Sequence, residues 1–192
     1  RGFTNCTLLD YSQKLIDVAQ TKASQNGYSI NFIQSDARSI ILPGGVFDHV
    51  IIMGNSLGYI QSTGADSEII REAYRILRPG GWLLVDVTDG NVVKNAFKPD
   101  SWHEIGEQTV ICRRRELRGN IINARELVMD KQKGLIRDQT YAIRLYDSES
   151  LDLLIKQTGF RKVKISTNFS PHSSDGDYGF MNSRMIGVGQ KT

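Results

Sequence analysis

Apolar runs alternate with helical periodicity through the first half of the chain, and this alternation restricts the fold more than any other feature. The apolar runs predict buried strands, and the segments between them that repeat apolar residues every three to four positions predict helices. Apolar strands joined by helices are typical of a mostly parallel sheet that is covered on both faces. We therefore predict an α/β, Rossmann-like fold. The predicted strands are 6–10, 30–36, 47–54 and 82–87, and the predicted helices are 12–26 and 66–77.

The second half of the chain follows a different pattern. Within residues 107–146 the runs "TVICRRREL", "IINARELVMD" and "YAIRLYD" alternate in period two and are separated by turn residues. This pattern predicts a three-stranded antiparallel insertion after the predicted strand 82–87. A helix over 147–160, capped by Ser148, and the strands "KVKIST" and "RMIGVGQ" follow. We interpret residues 1–192 as one domain that carries the insertion 107–146 as a lid.

Composition excludes several classes of protein. The formal net charge is +3 in 192 residues, which is too small to indicate a nucleic-acid-binding protein. No apolar run approaches the ~18 residues of a membrane span, so we expect no membrane contact. Cys6 and Cys112 lie far apart and match no metal-binding spacing, so we expect reduced thiols, no metal site and a cytoplasmic location.

Polar residues follow three successive predicted strands. Asp10 ends the first strand, Asp36 follows the second in "SDA", and "MGNSLGYI" ends the third. Ligands of open parallel sheets bind outside the carboxyl ends of the strands. There Asp10 could accept hydrogen bonds from two ribose hydroxyls, and Asp36 from an adenine amino group. Taken alone, Asp10 could equally be an acid that starts a turn.

These motifs resemble those of the class I S-adenosylmethionine (SAM) dependent methyltransferases. "LLDYSQKLIDVAQ", "QSDA", "FDHVIIMGNSLGYI" and "REAYRILRPGGWLLVDV" resemble successive strand motifs of the family, and "RLYDSESLDLLIKQTGF" resembles its late helix. The resemblance implies SAM as the cofactor. It also implies a set of cofactor-binding residues, namely Asp10, Tyr11, Ser12, Asp36, Ala37, Met53, Gly54, Asn55 and Ser56.

The family's first strand and its glycine-rich loop have no counterpart in this sequence. Only nine residues precede Asp10, whereas that loop normally lies roughly 20 residues before the acid. We expect the missing segment to have been removed from this chain or to lie elsewhere, on a homodimeric or other partner chain. Without it, we expect the chain to bind SAM weakly or not at all.

The resemblance also bears on the methyl acceptor. The insertion and the "GNS" at 54–56 resemble those of glycine/sarcosine-type and amino-sugar N-methyltransferases, which implies transfer to an N or O atom of a small molecule. His103 is the candidate general base. His49, inside a strand, is predicted to be structural, and His172 is a second candidate at the rim of the pocket. Trp102, Tyr141 and Arg144 are the candidate substrate-binding residues.

The basic run 113–115 has two interpretations. Arg113 and Arg115 share one face of a strand, and Arg125 and Arg144 could join them to bind a carboxylate or phosphate. The favoured interpretation is an exposed sheet edge that is kept soluble by charge.

Two other functions remain open at this stage. A nicotinamide-dependent oxidoreductase would also place an acid on a ribose. A non-catalytic methyltransferase-like subunit, completed by a partner chain, would retain the same fold.

Overall fold

Strands and helices alternate through the first half of the structure as the sequence predicts. The computed structural model describes residues 3–169 and 183–192. The helices are α1 (Gln13–Gln25), α2 (Ala65–Ile76), α3 (Gly90–Asn95) and α4 (Ser148–Gln157). The strands are β1 (Cys6–Asp10), β2 (Ile30–Gln34), β3 (Phe47–Ile52), β4 (Leu77–Thr88), β5 (Asp100–Ile105), β6 (Thr109–Arg118), β7 (Ile121–Asp130), β8 (Gly134–Arg144), β9 (Arg161–Phe169) and β10 (Arg184–Gln190). The α/β class is confirmed.

The α/β part contains two sheets. Strands β1 and β2 pair in parallel, with Asp10 opposite Gln34. The second sheet has the order β3-β4-β10-β9, in which β3 and β4 are parallel and β10 is antiparallel to both of its neighbours. In the described part of the chain no strand joins β1 to β3, so each of these two strands has an edge without a partner.

The main hydrophobic core lies on one face of the second sheet. Leu83, Val85 and Val87 alternate along β4 and are buried against apolar side chains of α2 and α4. On the opposite face, Ile51 is 61% exposed and Trp82 is 36% exposed. Among the described residues α2 and α4 therefore cover only one face of this sheet, whereas the sequence predicted helices on both.

The antiparallel insertion has four strands rather than three. Strand β5 precedes the predicted meander and pairs with β6 along its whole length, from Asp100 opposite Arg114 to Ile105 opposite Thr109. Strand β5 was not predicted because "DSWHEI" contains only one β-branched residue and several polar ones, which gives a weak strand signal. Helix α3 was also missed, since six residues are too few to show a helical period.

Two predicted helix boundaries differ in detail from the structure. The N-cap of α4 is Asp147 rather than Ser148, and Asp147 forms a capping box with Ser150. Helix α2 ends at Ile76, and β4 begins at the next residue, so the "RPGG" at 78–81 belongs to a strand rather than to a separate turn. The predicted Ser12 cap of α1 is confirmed by its side-chain hydrogen bond from the Leu15 amide.

Candidate functional site at the carboxyl ends of the strands

Asp10 ends β1 with one carboxylate oxygen still available. Its Oδ1 accepts a hydrogen bond of 2.8 Å from the Ser12 amide, which turns the chain into α1. Its Oδ2 accepts no hydrogen bond from the part of the chain that the structure describes. Tyr11, between these two residues, is 77% exposed. The end of β1 therefore presents a free acceptor and an exposed aromatic ring, which suits a hydroxyl-bearing ligand such as a ribose.

Asp36, two residues after β2, is held by its neighbour Arg38. The Arg38 amide and Nε donate to Oδ1 at 2.9 and 3.0 Å, and Nη2 donates to Oδ2 at 2.6 Å. These side-chain hydrogen bonds hold the pKa of the Asp36 carboxyl below its usual value. Asp36 is thus kept ionised, but a bound adenine would have to share its oxygens with Arg38. Ala37 packs against the main core.

The turn after β3 places two successive residues in the left-handed region, Gly54 at φ 71° and Asn55 at φ 64°. Asn55 is buried, and its side-chain oxygen accepts from the Thr88 amide at 2.7 Å. Ser56 donates to the Met53 carbonyl at 2.7 Å. The Asn55 side chain therefore braces the turn against β4, while Met53, 51% exposed, lies at the open edge.

A buried ion pair that the sequence analysis missed lies behind this turn. Arg184 is fully buried at the start of β10, and its Nε donates to Asp86 Oδ1 at 2.8 Å. The other oxygen of Asp86 accepts from the Gly54 amide at 3.2 Å. The available sequence signals were an acid inside the apolar run "WLLVDV" and an arginine at the start of "RMIGVGQ".

One face of the antiparallel insertion lies over the loop that follows β3, and we call it the inner face. The rings of Tyr59, in that loop, and Tyr141, on β8, lie 6.3 Å apart. The register places Arg113 opposite Glu126 on this face, and Arg113 Nε donates to Glu126 Oε2 at 2.6 Å. Arg137 donates to the other Glu126 oxygen at 2.5 Å. The inner face thus combines two phenols with a partly buried ionic network.

The chemistry of the inner face is that of a hydrogen-bond donor surface. Burial is the main cause that raises the pKa of both Tyr59 and Tyr141, so both phenols stay protonated at neutral pH. His103 Nδ1 lies 3.4 Å from Arg113 Nη1. Because a guanidinium can only donate, Nδ1 is the acceptor, and the ring proton of a neutral His103 is then on Nε2. His103 thus lies beside the ionic network of the inner face.

Two of the candidate substrate-binding residues lie elsewhere. Trp102 alternates with His103 along β5, pairs with Cys112 on the outer face and is 68% exposed, so its side chain faces away from the inner face. Arg144 forms an ion pair with Asp66 at 2.5 Å and is therefore not available to clamp a substrate. Of the three, only Tyr141 lies on the inner face.

The interpretations of the basic run also change. Arg113 and Arg115 share the inner face as predicted, but the register places Arg125 opposite Arg114 on the outer face, so Arg125 cannot join them. The side chain of Arg113 is only 18% exposed and Arg115 is buried, so the solubility interpretation fails for both. It holds for Arg114, whose side chain is 84% exposed.

The remaining predictions concern two histidines, the two cysteines, metal binding and membrane-spanning helices. His49 lies within β3, away from the carboxyl end of the strand, and His172 lies outside the described residues. Cys6 and Cys112 are free thiols. Within residues 3–169 and 183–192, no group of three or more His, Cys, Asp or Glu side chains could hold a metal ion. No helix in the same ranges has the length and apolar character to cross a membrane.

Sequence comparison identifies methyltransferase relatives. A family profile described as "Methyltransferase domain" matches residues 1–81. "Putative methyltransferase YqeM" of Bacillus subtilis (strain 168) is 27% identical over 175 residues, which cover 88% of this chain and 70% of that protein. "Demethylmenaquinone methyltransferase" of Thermus thermophilus is 33% identical over 79 residues, covering 40% of this chain and only 33% of that relative.

Solved structures of methyltransferases share the fold. An S-adenosylmethionine-dependent methyltransferase from Clostridium acetobutylicum superposes with a TM-score of 0.78 at 13% identity, over 98% of this chain and 76% of the other. SAM-bound CalS10, an amino pentose methyltransferase from Micromonospora echinaspora, gives 0.63 at 16% identity, over 97% and 75%. At these identities the likeness concerns the fold alone. The profile match over residues 1–81, the methyltransferase relatives and the shared fold together support a class I SAM-dependent methyltransferase, an enzyme with SAM as its cofactor.

Proposed function

We propose that this chain transfers a methyl group from SAM to an N or O atom of a small molecule. The observation that carries the proposal is the placement of the inner face over the loop after β3, where the Tyr59 and Tyr141 rings lie 6.3 Å apart. A donor-rich face above a cofactor edge can hold a polar acceptor in line with the methyl group. CalS10 is named as an amino pentose methyltransferase, which supports a polar small-molecule acceptor.

The residues at the strand ends fit the nucleoside part of SAM. In this proposal the free Oδ2 of Asp10 accepts from the ribose hydroxyls, with Tyr11 and Ser12 beside it. Asp36 and Ala37 line the adenine side, and Arg38 has to shift to share the Asp36 carboxylate. The backbone of the turn Met53–Ser56 forms the wall of the crevice. SAM supplies an activated methyl group, so the protein contributes mainly orientation and the exclusion of water.

The acceptor would be held by the inner face. Tyr59 and Tyr141 keep their protons and can donate hydrogen bonds to its polar groups. His103, whose Nδ1 lies 3.4 Å from Arg113 Nη1 on this face, remains the proposed general base. A cytoplasmic location remains a prediction.

We further propose that another strand, from the same protein or from a partner chain, fills the gap between β1 and β3. The exposed apolar side chains near these edges support this proposal: Ile51 is 61% exposed, Leu15 56%, Val18 46% and Leu8 37%. Apolar patches that flank unpaired strand edges are typical of surfaces that another segment covers. A homodimer in which each chain supplies the strand to the other is one arrangement of this kind.

The inserted segment would also provide partners for the amino acid end of SAM. Without it, the loss of two or three charged hydrogen bonds would cost roughly 3–6 kcal/mol, which is about two to four orders of magnitude in affinity. Equilibrium dialysis of the 192-residue chain against SAM tests this directly. We expect no binding at micromolar SAM, and micromolar binding by a monomeric sample of this chain alone would contradict the proposal.

The proposed reaction is tested by transfer of a radiolabelled methyl group from SAM with the complete gene product. The acceptor panel holds amino sugars, amino acids, alcohols and a hydroquinone, the last as a test of carbon methylation. We expect labelled N- or O-methyl products that disappear in the Asp10→Ala variant. Labelling only at carbon would refute the proposed target. Binding of reduced nicotinamide in place of SAM would instead support an oxidoreductase, which the family match disfavours.

A further inference from the structure

Three hydrogen-bond donors converge on one buried carboxylate, that of Asp66 in the first turn of α2. Asp66 is only 3% exposed. Its Oδ1 accepts from the Gly58 amide at 2.9 Å. Its Oδ2 accepts from Arg144 Nη1 and from the Tyr146 hydroxyl, each at 2.5 Å. We call Asp66, Gly58, Arg144 and Tyr146 the Asp66 latch.

The latch holds the backbone of the loop after β3 in direct contact with the backbone at the end of the antiparallel insertion. The Arg144 amide donates to the Gly58 carbonyl at 2.9 Å, so the backbones pair in addition to the side-chain contacts. Gly58 has a φ of 93°, and a Cβ atom there would lie 2.4 Å from the Arg144 carbonyl oxygen. Gln61 strengthens the joint, because its Nε2 donates to both the Gly58 and Ala142 carbonyls at 3.0 Å.

The same segment contacts the start of α3, directly after β4. The Tyr146 carbonyl accepts from the Gly90 amide at 2.8 Å, and Tyr146 forms an isolated bridge with Asp89. A Cβ atom at Gly90 would lie 2.6 Å from that carbonyl oxygen. Residues 144–146 therefore touch the chain segments that follow two neighbouring strands of the main sheet, the loop after β3 and the start of α3. The position of the insertion is thereby coupled to both segments.

We propose that Asp66 is a positioning residue for methyl transfer. It fixes Gly58 and, through it, the neighbouring Tyr59 opposite Tyr141. The inner face is thereby held in one position relative to the carboxyl ends of the strands, where SAM is proposed to bind. This inference rests on the proposed function and assigns a role at the same site. Asp66 itself is buried beneath the loop, so in this proposal it contacts neither the cofactor nor the acceptor.

An Asp66→Asn variant is a specific test because all three partners are donors. The Asn side chain has almost the same shape, but one Asp oxygen is replaced by an NH2 group that can only donate. This group must face at least one of the donors of Gly58, Arg144 and Tyr146, so that hydrogen bond is lost. Tyr146→Phe removes one donor and leaves the other two. Tyr74→Phe is the matched control, since Tyr74 is on the same helix but packs edge-on against Phe160 in the main core.

The experiment uses the complete gene product and its best acceptor from the panel described above. It measures kcat and KM for the acceptor, the SAM dissociation constant, and hydrogen–deuterium exchange of a peptide that spans residues 53–61. We expect Asp66→Asn to lower kcat at least tenfold, since misplacement of about 1 Å can cost a hundredfold, with SAM affinity changed less than about threefold. Amide exchange in 53–61 should rise. Tyr146→Phe should show a smaller loss, and Tyr74→Phe none.

The alternative outcomes are distinct. If kcat per folded molecule and the exchange of 53–61 are unchanged in Asp66→Asn, Asp66 is only structural and the inference is overturned. If the apparent kcat falls only in proportion to the folded fraction, with acceptor KM and the SAM dissociation constant unchanged, the same conclusion follows. If the parent protein neither binds SAM nor transfers methyl groups, the proposed function fails, and the positioning role is overturned with it. An active parent whose variants retain activity overturns only the positioning role.

Discussion

Removal of Arg184 should destabilise the protein strongly. Arg184 is fully buried, and its guanidinium donates to Asp86 Oδ1 at 2.8 Å, to the Asp86 carbonyl at 3.2 Å and to the Thr88 hydroxyl at 3.2 Å. The Asp86 side chain is only 7% exposed. Arg184→Met leaves a carboxylate buried beside apolar strands with the Gly54 amide as a remaining donor. Loss of one partner from a buried pair typically costs about 3–5 kcal/mol.

Urea denaturation followed by circular dichroism measures this cost. With a slope of about 2–3 kcal/mol per molar urea, the midpoint should fall by about 1–2 M. The double variant Asp86→Leu/Arg184→Met removes both charges and should recover most of the loss, because replacement of a whole buried pair is often neutral. Arg78→Met is the matched control. Its ion pair with Asp48 is more than half exposed on both sides, so we expect a loss of about 0–1 kcal/mol.

The Arg184→Met substitution should also affect cofactor binding. Asp86 Oδ2 holds the Gly54 amide, so a displaced Asp86 should loosen the turn Met53–Ser56 and weaken SAM binding. A midpoint within 0.3 M of the parent, equivalent to less than about 1 kcal/mol, would refute the reasoning. It would mean that the carboxylate is solvated or neutralised in another way.

Three further predictions follow from single contacts. In the complete gene product, Asp36→Asn should weaken the binding of SAM but hardly that of methionine, measured by calorimetry, and an equal loss for both ligands would indicate a folding defect instead. Gly58→Ala should cost about 2–4 kcal/mol in urea denaturation, because the positive φ is strained and the Cβ would overlap the Arg144 carbonyl. Gly64→Ala, at a similar φ of 86° with open space, should cost only the strain, about 1–2 kcal/mol, and equal losses would contradict the overlap. The Ser150 side-chain hydrogen bond holds the pKa of Asp147 low, so this group stabilises the fold above its unfolded pKa of about 3.9 and the contribution is lost as the pH falls further. Asp147→Asn should therefore flatten the decline of stability in acid, and an unchanged pH profile would count against it.

Local patterns predicted the α/β part of the fold well. The apolar period of "CTLLD" and "RMIGVGQ" gave β1 and β10 at their observed bounds, and Ser12 gave the start of α1. Strand β5 was missed because it contains only one β-branched residue, Ile105, among several polar ones. The sequence also did not indicate that α2 and α4 both cover the same face of the main sheet, because apolar periodicity does not tell which segment packs against which face.

The candidate site was only partly predictable. Strand ends can be located from sequence, and Asp10 lies where the pattern placed it, with a free oxygen. Partners distant in sequence cannot be located in this way. Arg144 was expected in the substrate pocket but pairs with Asp66, 78 residues away, and Arg184 reaches Asp86 across 98 residues. Each of these pairs depends on a register between strands that no local signal fixes.

The contact between Asp10 and the ribose hydroxyls tests the central claim most directly. The measurement is a double-mutant cycle in the complete gene product, in which S-adenosylhomocysteine and its 2′-deoxy analogue bind to the parent and to Asp10→Ala. In the parent, loss of one hydroxyl should weaken binding about tenfold, and Asp10→Ala should weaken binding of the full ligand by about 2–3 kcal/mol. In Asp10→Ala the two ligands should bind alike, which gives a coupling energy above about 1 kcal/mol. Additive losses, or equal affinities in the parent and the variant, would show that the cofactor binds elsewhere.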